Sequence, residues 1–254
     1  MKTLAQFASF RFVVGFSLTL ACSALTWGAF SWASYTKMLS VKSILVTGSK
    51  IIPASDYTNS LQDLIGLPVS QLHNKTIAER LETSPYVQAA RVSIHFPDVL
   101  SVELVEREPI AMINMDPIMF IDQYSVVLPN NSTVIEMNIP ILSGFNETKN
   151  LFPVGKPTLS SKIRETTKII VRIQNLNPTL YKNISEIRLN HQDEYELILL
   201  EKPTKVLLGL KNISKKIHIL KEFGLSLSQK RHLTDFSTID LRYNNQVIVR
   251  ERKR

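Results

Sequence analysis

The chain has 254 residues, 44% of them hydrophobic and 20% charged, with a formal net charge of +8 and one cysteine, Cys22. Much of that charge is terminal, at Lys2 and Arg11 and in the run Arg250 to Arg254, and no basic stripe with interleaved aromatics follows, which argues against nucleic-acid binding. Cys22 lies inside an apolar run, so a disulfide framework and cysteine chemistry are excluded for the rest of the chain.

Residues 1–11 form a short basic tail, and Phe12 to Trp32 is a run of 21 residues without Asp, Glu, Lys, Arg or His. A helix rises about 1.5 Å per residue, so roughly 20 apolar residues cross a hydrocarbon core about 30 Å thick. Segment 12–36 is therefore read as a single transmembrane helix. Its cationic N-terminal flank stays cytoplasmic by the positive-inside rule, and Trp27, Trp32 and Tyr35 fall at the far interface. A signal peptide is the competing reading, and Leu18 to Cys22 resembles a degenerate lipoprotein box. The apolar core of a signal peptide usually spans about 7 to 15 residues, however, whereas this run continues through Leu25, Trp27 and Phe30.

Residues 37–109 read as a small α+β layer. Val41 to Thr47 is a strand ending at the turn Gly48-Ser49. Ser55 is placed to cap a helix with the stripe Leu61, Leu64 and Ile65, stopped by Gly66. Asn74 is placed to cap a second, with Ile77 and Leu81 four apart, ended by Ser84-Pro85. A hairpin follows: Val92, Ile94 and Phe96 alternate with polar residues, Pro97-Asp98 turns the chain, and Leu100, Val102 and Leu104 alternate on the return strand. The order strand, helix, helix, strand, strand (βααββ) is that of a POTRA domain.

Residues 110–254 read as a β-rich domain with two helices. Strands are predicted at Ile118 to Ile121, Tyr124 to Leu128, Ile184 to Leu189, Tyr195 to Leu200 and Lys205 to Leu210. One helix covers Lys162 to Gln174 and carries Ile163, Ile170 and Ile173. The other starts after Asn212, carries Ile213, Ile217 and Leu220, and ends at Gly224. The chain closes with Ile239, Leu241 and Tyr243 alternating with Asp240 and Arg242, a turn at Asn244-Asn245, and a last strand at Gln246 to Arg250. Such a hairpin is expected at a sheet edge, where unpaired backbone groups are either blunted or used to bind a partner strand.

The residues give no sign of catalysis. The five histidines are scattered without metal-ligand spacing, the eight glycines are singletons that form no phosphate loop, and no nucleophile elbow occurs. Glu103, Glu106 and Glu108 read as a solvated strand face. No catalytic residue, cofactor or metal is expected. Six glycosylation sequons, at Asn74, Asn130, Asn131, Asn146, Asn183 and Asn212, keep open a glycosylated type II membrane protein, although an exported region without disulfides argues against it.

Local motifs add a family resemblance. Ser84-Pro85-Tyr86-Val87 followed by Arg91 to Val102, then Glu106-Arg107-Glu108-Pro109, is similar to the "LPWV…SVxRxFPDxLxVxVxEREP" stretch of the bacterial FtsQ/DivIB family. Ile139 to Gly144 resembles its "LPxLxG" segment, and Ile239-Asp240-Leu241-Arg242-Tyr243 its terminal "VDLRY" strand. Tyr195 stands where the family usually has Trp, and Asn245-Gln246 where a Gly is common.

The resemblance implies a non-enzymatic scaffold of the divisome, held in the inner membrane with its bulk periplasmic and enriched at the septum. Members use the POTRA domain for recruitment, and their last strands bind FtsB, which pairs with FtsL as a coiled coil; together they regulate septal peptidoglycan synthesis. Carried over residue by residue, the expected partner edge is Tyr243, Asn245, Gln246, Val247, Ile248 and Val249, with Arg242 beside it. Val92 and Ile94 match recruitment positions, though their alternation also suits the core, and Leu241, Val247 and Val249 suit sheet core equally well. A scaffold for outer-membrane protein assembly is the alternative; such proteins usually carry repeated POTRA modules or a barrel, and neither is visible.

Overall fold

In the computed structural model, which describes residues 2–35, 40–227, 231–243 and 246–252, the first element is one 34-residue helix, α1 (Lys2–Tyr35). The hydroxyls of Thr19, Ser23 and Thr26 donate to carbonyls three or four residues back, so their polarity is satisfied within the helix. Phe16, Leu18, Leu20, Leu25, Trp27 and Trp32 are all exposed. Among the described residues no helix is long and apolar enough to cross a membrane. The side chains at 12–14 and 30 of the apolar run lie outside those described.

Beyond α1 the chain divides into two units. The first is built on β1 (Ser43–Thr47), α2 (Ala54–Ser60), α3 (Asn74–Glu82), β2 (Val87–His95) and β3 (Val99–Glu106). Its three strands lie in the order β1-β3-β2, with β1 parallel to β3 and Ser43 opposite Val99. Leu100, Val102 and Leu104 are buried, as are Tyr57, Leu61, Leu64, Ile77 and Leu81 from the helical segments. Ser55 does not cap α2. Pro53 takes the N-cap position, without a side-chain bond, and Ser55 lies one residue inside the helix. The helix stops at Ser60 and a 3-10 turn covers Gln62–Leu64. This change of winding breaks the 3.6-residue stripe, leaving Ile65 47% exposed.

The second unit adds β4 (Pro109–Ile113), β5 (Met119–Asp122), β6 (Val127–Leu128), α4 (Ser132–Ile135), β7 (Ile141–Ser143), α5 (Ser161–Leu176), α6 (Pro178–Lys182), β8 (Ile184–Leu189), β9 (Tyr195–Leu199), β10 (Lys205–Gly209), α7 (Ile213–Ser226), β11 (Phe236–Asp240) and β12 (Ile248–Glu251). Nine strands form one sheet in the order β12-β11-β10-β9-β8-β7-β4-β5-β6. Ser160 caps α5 by accepting from the Ile163 amide, and the stripe Ile163, Ile170, Ile173 meets that of α7, Ile213, Ile217, Leu220, over inward residues such as Leu197, Leu199, Val206 and Ile239. Each fully buried side chain of this size contributes about 1.5 to 3 kcal/mol. Tyr195 belongs to this core; burial raises its phenol to about 12, and its hydroxyl lies 3.4 Å from Thr166 Oγ1. Gly224 does not end α7, which runs on to Ser226. A second buried cluster of Ile51, Tyr86, Phe120, Val126, Leu128 and Val134 packs at the β5–β6 end.

Glu106 departs most from expectation. Alternation carries residues 100, 102, 104 and 106 to one face, so Glu106 is buried, not solvated. Its carboxylate accepts the backbone amides of Lys50 (2.6 Å), Ile51 (2.7 Å) and Ile52 (3.2 Å). Three amide donors replace the water that a buried carboxylate loses, so the role is structural.

Candidate functional site: the terminal sheet edge

A nine-stranded open sheet has two edges, and this one treats them differently. At the β6 edge, Val127 donates its amide to Lys156 O (3.0 Å) and accepts from Gly155 N (2.8 Å), while Val126 bridges Pro157. That edge is covered. At the other end β12 pairs antiparallel with β11, Asp240 opposite Ile248, Ile239 opposite Val249 and Thr238 opposite Arg250. No described strand lies beyond it.

Backbone alternation shows which amides remain available. The Arg252 amide donates to Asp235 O (3.3 Å) on the β11 side, and the Leu241 amide donates to Leu207 O (2.9 Å) on the β10 side. Antiparallel strands alternate inward and outward pairs. Counting back by twos from Arg252 turns residues 248 and 250 toward β11, and counting back from Leu241 turns Asp240 toward β12, so both ends agree. The amides of Val249 and Glu251 therefore face the open side. Ile248 and Val249 remain 48% and 37% exposed.

The base of the hairpin is held by charge. Arg242 donates Nε to Asp240 Oδ1 (3.0 Å), Nη2 to Asp240 Oδ2 (2.8 Å) and Nη1 to Glu194 Oε2 (3.3 Å), while its amide donates to Asp240 Oδ1 (3.0 Å). Burial pushes the Asp240 carboxyl up, but these bonds and the charges of Arg242 and Lys216 outweigh it and hold the group below its ordinary value. Arg242 is correspondingly raised, chiefly by its bonds to Asp240. A carboxyl depressed in the folded state contributes stability that is fully present above its unfolded value near 4 and is lost as pH falls through the lower folded value. The urea midpoint is thus expected to fall below about pH 4, and Asp240→Asn to flatten that fall, as measured by unfolding curves between pH 2.5 and 7.

The expected residues divide by burial. Ile248 and Val249 are exposed on β12, the outermost described strand; Tyr243, 56% exposed, and the exposed Gln246 lie outside the paired strands, while Val247 is partly buried against the core and Leu241 fully so. Asn245 lies outside the described residues. Val92 and Ile94 are half-buried on β2 of the first unit. Two residues escaped sequence reading: Glu194, which receives Arg242, and Lys216, whose Nζ is buried and donates to Leu208 O (2.6 Å). Burial lowers the Lys216 ammonium, opposed by Glu194 and Asp240. Its signal was present, because 213, 216, 217 and 220 make one i, i+3, i+4, i+7 stripe with a lysine among hydrophobics. Among the described residues no cluster of His, Cys, Asp or Glu is placed to hold a metal.

A βααββ layer followed by an open-edged sheet backed by helices defines a POTRA-bearing protein with a C-terminal β-rich domain. Residues 39–107 match the model of the POTRA domain, FtsQ-type, and residues 108–249 that of FtsQ/DivIB, C-terminal related. The chain belongs to the FtsQ/DivIB family of cell division proteins. It is similar to cell division protein FtsQ of Geobacter sp. (strain M21), 22% identical over 93% of this chain and 86% of the relative. The FtsQ of Geotalea daltonii is 21% identical over 95% and 86%, and that of Koribacter versatilis 25% identical over 88% and 63%.

Proposed function

We propose that this protein is a non-enzymatic, single-pass scaffold of the bacterial divisome that captures FtsB, and through it FtsL, by strand addition at β12, and so helps regulate septal peptidoglycan synthesis. The observation that carries the reading is the asymmetry of the sheet: the β6 edge is covered, and the β12 edge presents outward amides beside exposed apolar side chains. The uncharged run Phe12 to Trp32 supports a membrane anchor, with Lys2 and Arg11 cytoplasmic and the two units periplasmic. Recruitment to the septum is assigned to the POTRA layer, with Val92 and Ile94 on its β2 strand.

A photo-crosslinking amino acid at Tyr243 or Gln246 tests this in living cells. An FtsB adduct is expected at both positions. Adducts to outer-membrane assembly proteins in its place would favour a scaffold for outer-membrane protein assembly.

A further inference from the structure

We propose that Lys216, Glu194 and Asp240 form with Arg242 a charge-neutral cluster that fixes the base of the terminal hairpin, making Lys216 a positioning residue of the partner edge. The proposal rests on the strand-addition reading for its functional meaning, and on geometry for its substance.

A buried ammonium is costly unless it is paired and hydrogen-bonded, yet Lys216 occupies the sheet-facing stripe of α7, where an aliphatic residue would pack without that cost. What it gains there is a carbonyl: its Nζ takes Leu208 O at 2.6 Å. The next residue, Gly209, has φ +72°, and a Cβ placed on it would stand 3.1 Å from Arg242 Cγ and 3.4 Å from Lys216 Nζ. The bare α-carbon is where the Arg242 stem and the Lys216 head converge. Two cations converge here; Asp240 and Glu194 bind Arg242 directly, and the charge of both carboxylates opposes the cost of burying the Lys216 ammonium.

Three successive backbone positions at the end of β10 are therefore held from different directions. Leu207 O accepts from the Leu241 amide, Leu208 O from Lys216, and Gly209 lies under the Arg242 stem. This is where the chain leaves β11 for Tyr243. Glu194 is itself anchored: its amide donates to Asn190 Oδ1 (3.0 Å), and Asn190 Nδ2 donates to its carboxylate (3.2 Å). The cluster thus joins α7, the β8–β9 turn and β11 at the root of the hairpin.

Hydrogen exchange on the full-length protein without any partner tests this in Lys216→Met, Glu194→Gln and the double variant. Methionine keeps the stem and deletes the charge, leaving Glu194 and Asp240 to share the single cation of Arg242. Exchange at the β11–β12 amides is expected to quicken about tenfold or more in Lys216→Met, with β8 and α5 unchanged. Adding Glu194→Gln removes the uncompensated charge and should return the rates to within about twofold of the parent. Lys216→Arg, which keeps the charge, should stay closer to wild type than Lys216→Met. A lysine that merely fills space beneath β10 would give unchanged hairpin exchange in Lys216→Met, or acceleration that Glu194→Gln does not reverse; either result overturns the proposal. Because no partner is present, these outcomes stand apart from whether β12 is the docking strand.

Discussion

Val249→Pro is expected to abolish FtsB capture while the nine-stranded sheet stays folded. The Val249 amide faces the open side of β12, so proline there deletes no bond within the hairpin, and edge strands tolerate proline where the missing N–H points to solvent. For a partner strand the same change is severe. One carbonyl of the incoming segment loses its donor, at a cost of about 1 to 3 kcal/mol, and the ring obstructs the close approach of the flanking ladder. A loss of affinity of about a hundredfold or more follows. Ile248→Pro makes the opposite experiment, because residue 248 faces Asp240 across the hairpin; it should unzip β12 from β11 and lose binding through unfolding of the edge. Hydrogen exchange separates the two variants, with protection of the β11 amides kept in the first and lost in the second. FtsB co-purifying undiminished with Val249→Pro would rule out β12 as the docking strand.

The elements legible in the sequence were those whose periodicity is local. The stripes of α5 and α7 could be read because each of these helices buries a periodic subset of its own residues, and the 184–189 strand because Ile184, Ile187 and Leu189 are apolar and buried within a short β-rich run. β4 and β7 were missed for a physical reason. β7 has three residues, too few for a period, and is a strand only because β4 and β8 flank it in parallel. A terminal hairpin was legible, but its strands are Phe236–Asp240 and Ile248–Glu251, where alternation suggests 239–243 and 246–250, because the paired length and the amides left open depend on register with β11. Glu106 was misread because its identity suggests solvent, while alternation with Leu104 and the amides of residues 50–52 place it inside. Lys216 offered a signal in its stripe, but the groups around it lie in the β8–β9 turn, β10 and β11, which local reading cannot bring together.

Gly144→Ala is expected to destabilise the second unit by about 3 kcal/mol or more, a far wider effect than any change at the free edge. Gly144 closes the Ile139 to Gly144 segment and has φ +76°, a left-handed conformation costing an L-residue about 1 to 2 kcal/mol. Space decides the rest. A Cβ there would lie 2.2 Å from Leu189 O and 3.2 Å from Leu189 C, both backbone atoms at the end of β8, so no side-chain rotation relieves the overlap. The strands must separate, and they do so at the seam of the sheet. Among the described strands β7 joins β4-β5-β6 to β8 through β12 in the sheet, and it pairs in parallel on both sides, Ile113 with Leu142 and Ser143 with Arg188. Loss of exchange protection should therefore spread through β4, β7 and β8, unlike the local loss at the hairpin in Lys216→Met. Partner binding should weaken as well, but in proportion to the unfolded fraction, and it should recover when the protein is cooled toward its temperature of maximum stability. A urea midpoint indistinguishable from wild type would show that β8 yields at Leu189 without cost, and that the closing glycine of the segment serves something other than this close approach.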